Sequence, residues 1–176
     1  RQLLTKHISV LQEFALPAFL SGAMITPVHW VCHGMLMRSP NGPTEMAIIG
    51  VAAQWFYLII FVPAAAGKIL LPVLSDLAGR AENLSSRRIL MLNVVCNIVA
   101  ILPLVALVSI GGNWIMRQYG AVFSGHVKVL LLYVAAAGLA AATLPLGNYL
   151  AAAGSMWAAL TINLIWAIVY VAGSHF

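Results

Sequence analysis

Five apolar runs, at about 14–37, 46–74, 89–110, 128–150 and 157–174, take up most of this chain. Each is long enough to cross about 30 Å of hydrocarbon as a helix, which needs about 20 residues. In lipid every backbone N–H and C=O must find a partner within the protein, so only helices and closed barrels span it. The apolar–polar alternation of barrel strands is absent, so the runs predict helices. Charged residues make up 7% of the chain, against about 25% in a soluble domain, too few to cover a water-facing surface. A hydrophobic fraction of 62% and a mean hydropathy of +0.98 agree with that reading. The sequence therefore predicts an all-α membrane protein with about five transmembrane helices. A polar lead-in at 1–13 precedes a helical transmembrane domain at 14–176. The chain begins at Arg1 without a methionine and its first residues are too polar for a signal-peptide core, so it reads as a piece of something longer.

The charges carry topology rather than chemistry. Nine Lys and Arg stand against four acids, for a net charge of +5. The basic residues lie almost entirely between apolar runs, which points to loop orientation and anionic lipid and away from nucleic acid. Arg1, Lys6, Arg80, Arg87 and Arg88 fall on one side, with Lys68 close by; Arg38, Arg117 and Lys128 fall on the other. This bias predicts that the N-terminus and the 75–88 segment are cytoplasmic and that the 38–45 turn is outside. Glu13, Glu45, Asp76 and Glu82 all sit at segment ends or in loops. No predicted helix interior holds a carboxylate, which proton or sodium relays usually require. Paired carboxylates, a nucleophile–base pair and a glycine-rich phosphate loop are also missing. The chain is expected not to be an enzyme, with no catalytic residue and no cofactor. Cys32 and Cys96 read as small packing residues.

Several polar constellations interrupt the apolar runs. Gly22, Thr26, His29 and His33 recur at spacings that share one face of the first helix. That face either lines a cavity or makes interhelical hydrogen bonds. The His-x-x-x-His spacing has no acid or third ligand nearby in sequence, so no metal is expected. In the second helix Gly50, Gln54, Tyr57, Phe61, Ala64 and Lys68 form a stripe; Lys68 can snorkel or face an anion. Asn93 and Asn97 share a face of the third helix, and Asn148 and Asn163 lie in the fourth and fifth. Such asparagines most often hold helices together. The stretch AAAGLAAATLPLG predicts close packing of the fourth helix. Pro17, Pro27, Pro63, Pro72, Pro103 and Pro145 predict helices that bend around a cavity.

The stretch LPAFLSGAMITPVHWVCHGMLMRSPNGPTEMAIIGVAAQWFYLIIFVPAAAGKILLPVLSDLAG resembles the start of the second lobe of O-antigen and polysaccharide flippases. These belong to the multidrug/oligosaccharidyl-lipid/polysaccharide exporter superfamily. The residues that carry the resemblance are Leu16-Pro17, Ser21-Gly22, Pro27-Val28, Trp30, Pro40-Asn41-Gly42, Glu45-Met46, Gln54-Trp55, Pro63, Leu71-Pro72 and Leu74-Ser75. Further on, IMRQYGAVFSGH resembles the family's Tyr-Gly, Phe, Gly loop, and AAAGSMW its small-residue turn. His29 and His33 stand where relatives often carry Asn.

The resemblance implies part of the C-terminal lobe of a two-lobed, MATE-like transporter. The implied activity is translocation of lipid-linked oligosaccharide, such as an O-antigen repeat unit, across the bacterial inner membrane by alternating access. The implied ligand is a polyprenyl-pyrophosphate-linked oligosaccharide, with membrane lipid, a polysaccharide polymerase and glycosyltransferases as further partners. Thr26, His29, His33, Arg38, Gln54, Trp55, Tyr57, Lys68 and Asn97 become the candidate cavity residues. Gln54 and Trp55 would meet sugar, and Arg38 and Lys68 would meet pyrophosphate at the outer and inner ends of its route. The rivals are a cation-coupled multidrug exporter of the same superfamily, a membrane scaffold of a polysaccharide assembly complex, and a transferase using His29 and His33.

Overall fold

The computed structural model describes residues 11–79 and 83–173, and every regular element among them is helical. A π-helical turn at Leu11–Ala15 leads into α1 (Leu16–Met37). Then follow α2 (Gly42–Gly79), α3 (Asn83–Gln118), a 3-10 turn at Ala121–Phe123, α4 (Val127–Ala152) and α5 (Met156–Gly173). Each of the five long helices contains a stretch apolar enough to cross a membrane. Most of the expected 1–13 lead-in, and Arg80 and Glu82 of the 75–88 segment, lie outside the described residues.

The helices run further than hydropathy alone suggests. The predicted 75–88 connection is mostly helix, because α2 continues to Gly79 and α3 begins at Asn83. Polar residues end an apolar run but do not end a helix once its backbone can reach water. Gly111 and Gly112, which follow the apolar run at about 89–110, lie inside α3. Gly112 is buried because α4 comes close: a Cβ there would lie 3.0 Å from Val127 Cγ2 and 3.6 Å from Leu130 Cδ2. Here glycine permits a helix crossing and does not break the helix. Pro17 is buried near the start of α1, where the π-helical turn runs on into that helix. Pro63 and Pro145 are fully buried within their helices.

The chain divides into two compact units, Arg1–Gly42 with Leu150–Phe176, and Pro43–Tyr149. In the first unit α1 packs along α5. Ser21 pairs with Asn163, and His29 meets Trp166 and Tyr170. The partners advance together, so α1 and α5 run parallel. The unit's turns are tight. Arg38, Ser39 and Gly42 donate backbone N–H bonds to Met35, Leu36 and Ser39 at 3.0–3.1 Å. Gly154, at φ 71°, supplies the left-handed residue that ends the helix before α5.

The second unit is a three-helix packing of α2, α3 and α4. Its core joins Ile48, Ala52 and Ile59 of α2 to Val108, Ile115 and Met116 of α3, and to Leu130, Val134, Ala137 and Ala141 of α4. Phe56 meets Tyr133 edge-to-face at 6.3 Å, and Gly67 lies against Asn148. These pairs also advance together, so α2 and α4 run parallel and α3 runs against both. Many large apolar side chains face outward, Ile110 at 87% exposure among them. An outward apolar surface is costly in water and suits the hydrocarbon of a bilayer.

Candidate functional site

Two groups of side chains combine polarity with aromatic rings, one in each unit. In the first unit the group centres on His29. Its ring lies 5.8 Å from His33, 5.5 Å from Trp166 and 5.3 Å edge-on from Tyr170. Trp166 and Tyr170 stack on each other at 5.3 Å. Helical spacing brings this about: His29 and His33 are four apart on α1, and Asn163, Trp166 and Tyr170 are three and four apart on α5. One turn pair earlier on α1, the Asn163 amide donates a hydrogen bond to the Ser21 hydroxyl. Rings and an amide–hydroxyl pair thus contribute to the α1–α5 contact.

Thr26 belongs elsewhere. Although it falls on the same sequence stripe as His29, it is exposed and lines a shallow hollow of about 420 Å³ with Pro27, Trp30 and Val31. His29 and His33 are half-buried. The His29 contacts are interhelical, and their removal is expected to weaken the unit. Aromatic pairs contribute roughly 0.5–1.5 kcal/mol each beyond their buried area. His29→Ala should therefore lower the thermal midpoint and folded yield of the purified protein, whereas Thr26→Val should change neither. An unchanged midpoint in His29→Ala would show that the rings bear no packing load.

In the second unit the stripe on α2 is unevenly exposed along its length. Gln54, Tyr57, Phe61 and Lys68 are exposed, while Gly50 and Ala64 are half-buried. Trp55, one residue on from Gln54, turns about 100° around the helix and lies against the core. It lines an open pocket of about 290 Å³ with Trp114, Ile115 and Gln118 from the end of α3 and Tyr119 just after it. The Trp55 Nε1 is buried and has no acceptor among the described residues. Asn97 and its neighbour Asn93 are buried, at 5% and 8% exposure. Arg38 caps the end of α1 and is exposed.

The structure thus groups His29 with His33, and places Gln54, Tyr57 and Lys68 on one exposed row. Trp114, Gln118, Tyr119, Trp166 and Tyr170 were not among the candidate residues. Trp114, Gln118 and Tyr119 carry a signal in retrospect, since they bunch within one and a half turns around the Tyr-Gly loop. Among the described residues no three of His, Cys, Asp and Glu converge on one point.

Two curated relatives align with nearly the whole chain. Both are described as an EPS I polysaccharide export inner membrane protein, EpsE. The protein from Ralstonia solanacearum is 29% identical over 163 residues, and that from Ralstonia nicotianae 28% identical over 170 residues. In each case 93% of this chain is covered but only 37% of the relative. The chain therefore spans little more than a third of the length of these relatives. No protein-family profile matches the chain. No solved structure matches it either.

Proposed function

We propose that this chain is part of an inner-membrane protein of bacterial polysaccharide export, and that the whole protein moves lipid-linked oligosaccharide between leaflets by alternating access. The observation that carries this reading is the exposed row Gln54, Tyr57, Phe61 and Lys68 on α2. An amide, a phenol and an ammonium along one span are costly against hydrocarbon and stable against water, a polar ligand or protein. A hydrophilic path bounded by such a row suits a glycan, while the polyprenyl tail stays in lipid. The similarity to polysaccharide export inner membrane proteins along 93% of the chain supports the substrate class.

In this mechanism two parts of the full protein rock about a fixed cavity, opening it to each face in turn. Gln54 and Tyr57 offer hydrogen bonds to sugar hydroxyls. Lys68 and Arg38 offset pyrophosphate charge near the inner and outer ends of the route, since an unpaired anion in a low-dielectric cavity is costly. The assignment of ends follows the Lys and Arg bias. It requires a cysteine placed at Ser39, in a background lacking Cys32 and Cys96, to react with an impermeant reagent from outside.

Reconstitution of the full-length protein with a fluorescent lipid-linked oligosaccharide tests the reading. The wild type should move label between leaflets. The Arg38→Gln, Lys68→Gln double variant should slow this on the order of tenfold with insertion intact, as expected for loss of an interaction made only along the route. Wild-type transport in the double variant rejects the anion contacts. A full-length protein that supports polymer secretion in cells but moves no lipid-linked sugar in vesicles is a scaffold instead.

A further inference from the structure

Pro63 of α2 and Pro145 of α4 are both fully buried. Each stands four residues after a fully buried member of the unit's apolar core, Ile59 on α2 and Ala141 on α4. Proline has no N–H to give the carbonyl four residues back. The Ile59 and Ala141 carbonyls therefore lose their helical partners, and both helices are weakened where they are packed. The two weak points are level. Asn148 lies so close to Gly67 that a Cβ there would be 2.6 Å from Asn148 Nδ2. Pro63 comes four residues before Gly67 and Pro145 three before Asn148, so at about 1.5 Å per residue their depths differ by about 1.5 Å.

The packing changes at this plane. On one side lies the apolar core, with Ile48 to Ile59 on α2, Ile101 to Met116 on α3 and Leu130 to Ala141 on α4. On the other side the same helical spacing continues into Gly67 on α2, Asn97 and Asn93 on α3 and Asn148 on α4. Leu130 lies opposite Gly112. Counted from there, Asn97 and Asn93 are about 22 and 28 Å back along α3, and Asn148 is about 27 Å on along α4. Asn93 and Asn97 are buried, yet among the described residues no hydrogen bond joins these three amides. Amides packed without such bonds gain little from staying together and are stable against water. We infer that α2 and α4 bend together at the plane of Pro63 and Pro145, so that their far halves swing away from α3 and open a wet mouth lined by Asn93, Asn97 and Asn148. The apolar core is the fixed side of this hinge. The mouth suits hydroxyl-bearing ligands, to which amides both donate and accept. That choice of ligand rests on the proposed transport of oligosaccharide; the hinge does not.

The test measures spin-label distances in the full-length protein in nanodiscs, in a background lacking Cys32, Cys96 and any other cysteine. Ile69→Cys with Val95→Cys spans the far halves of α2 and α3, and Thr44→Cys with Asn113→Cys spans the core side; all four positions are exposed. The far pair should show two resolved distances, and the core-side pair one. Adding the fluorescent lipid-linked oligosaccharide should shift the ratio of the two far distances by about threefold or more, since a ligand moves such an equilibrium by its preference for one state. Pro63→Ala combined with Pro145→Ala returns both helical hydrogen bonds. It should leave a single far distance and slow flipping by about tenfold. A single far distance in the wild type, with and without the oligosaccharide, overturns the hinge whether or not the alanine variant folds. So do two far distances that persist in a folded alanine variant. The flipping assay separates the two readings. Flipping by a protein with one far distance removes only the hinge, and two far distances without flipping remove only the transport reading.

Discussion

Replacing Gly42 by alanine is expected to destabilise the protein by roughly 1–3 kcal/mol, the usual cost of forcing an added group into a filled site. Gly42 is buried where the turn after α1 closes onto the start of α2. A Cβ there would stand 2.5 Å from the Leu36 carbonyl oxygen, 2.7 Å from that of Met37 and 2.8 Å from the Met37 carbonyl carbon. All three are backbone atoms, so no side-chain rotation relieves the clash. Moving them means breaking the hydrogen-bonded turn through Arg38, Ser39 and Gly42. Space is what excludes a side chain here. Gly34→Ala is the matched control on the preceding helix, since nothing lies within 4 Å of its Cβ position. That change should hold or raise stability by up to about 1 kcal/mol, because glycine in a helix interior is less stable than alanine. Thermal unfolding of both purified variants reads the difference. Equal midpoints for Gly42→Ala and wild type would refute the steric argument.

Ala137→Leu should be as damaging, and Ala136→Leu next to it nearly silent. Ala137 and Ala141 are completely buried on the face of α4 that meets α2 and α3. Leucine at Ala137 adds three carbons to a filled core and should cost roughly 1–3 kcal/mol or more. Ala136 is exposed. There leucine meets hydrocarbon, where it is favourable by about 0.3–0.6 kcal/mol on an insertion scale. Folded yield and thermal midpoint should therefore fall for the first and hold for the second. Similar values for the two variants would mean that the α4 face has been assigned incorrectly.

The alanine pair marks how far this sequence can be read. In AAAGLAAATLPLG alanine and glycine recur along the whole stretch, so close packing is legible and its direction is not. The same holds for the candidate site. Trp55 stands out beside Gln54, but Trp114, Gln118 and Tyr119 are some sixty residues further on and reach it only because α3 runs back along α2. His29 and His33 were visible as a spaced pair. That His29 faces Trp166 and Tyr170 depends on α5 lying parallel to α1, which no local pattern specifies. Thr26 shares their sequence stripe and yet is exposed, so the stripe did not define one working face.

By itself the sequence determined that the chain is helical, that about five of its segments are long and apolar enough to cross lipid, and that a tight turn follows Arg38. Those are properties of single segments. A run of about 20 apolar residues must satisfy its own backbone in a bilayer, and helix is the form that does so within one segment. Pro40-Asn41-Gly42 marks its turn by local chemistry alone. Only the tertiary structure decided which side of each helix is buried, how far α2 and α3 extend past their apolar runs, and which rings share a pocket. The physical reason is the solvent. In water the apolar stripe of a helix identifies its buried face. In lipid the core and the surroundings are equally apolar, so packing is chosen by small residues, rings and a few hydrogen bonds, each of which needs a partner from elsewhere in the chain.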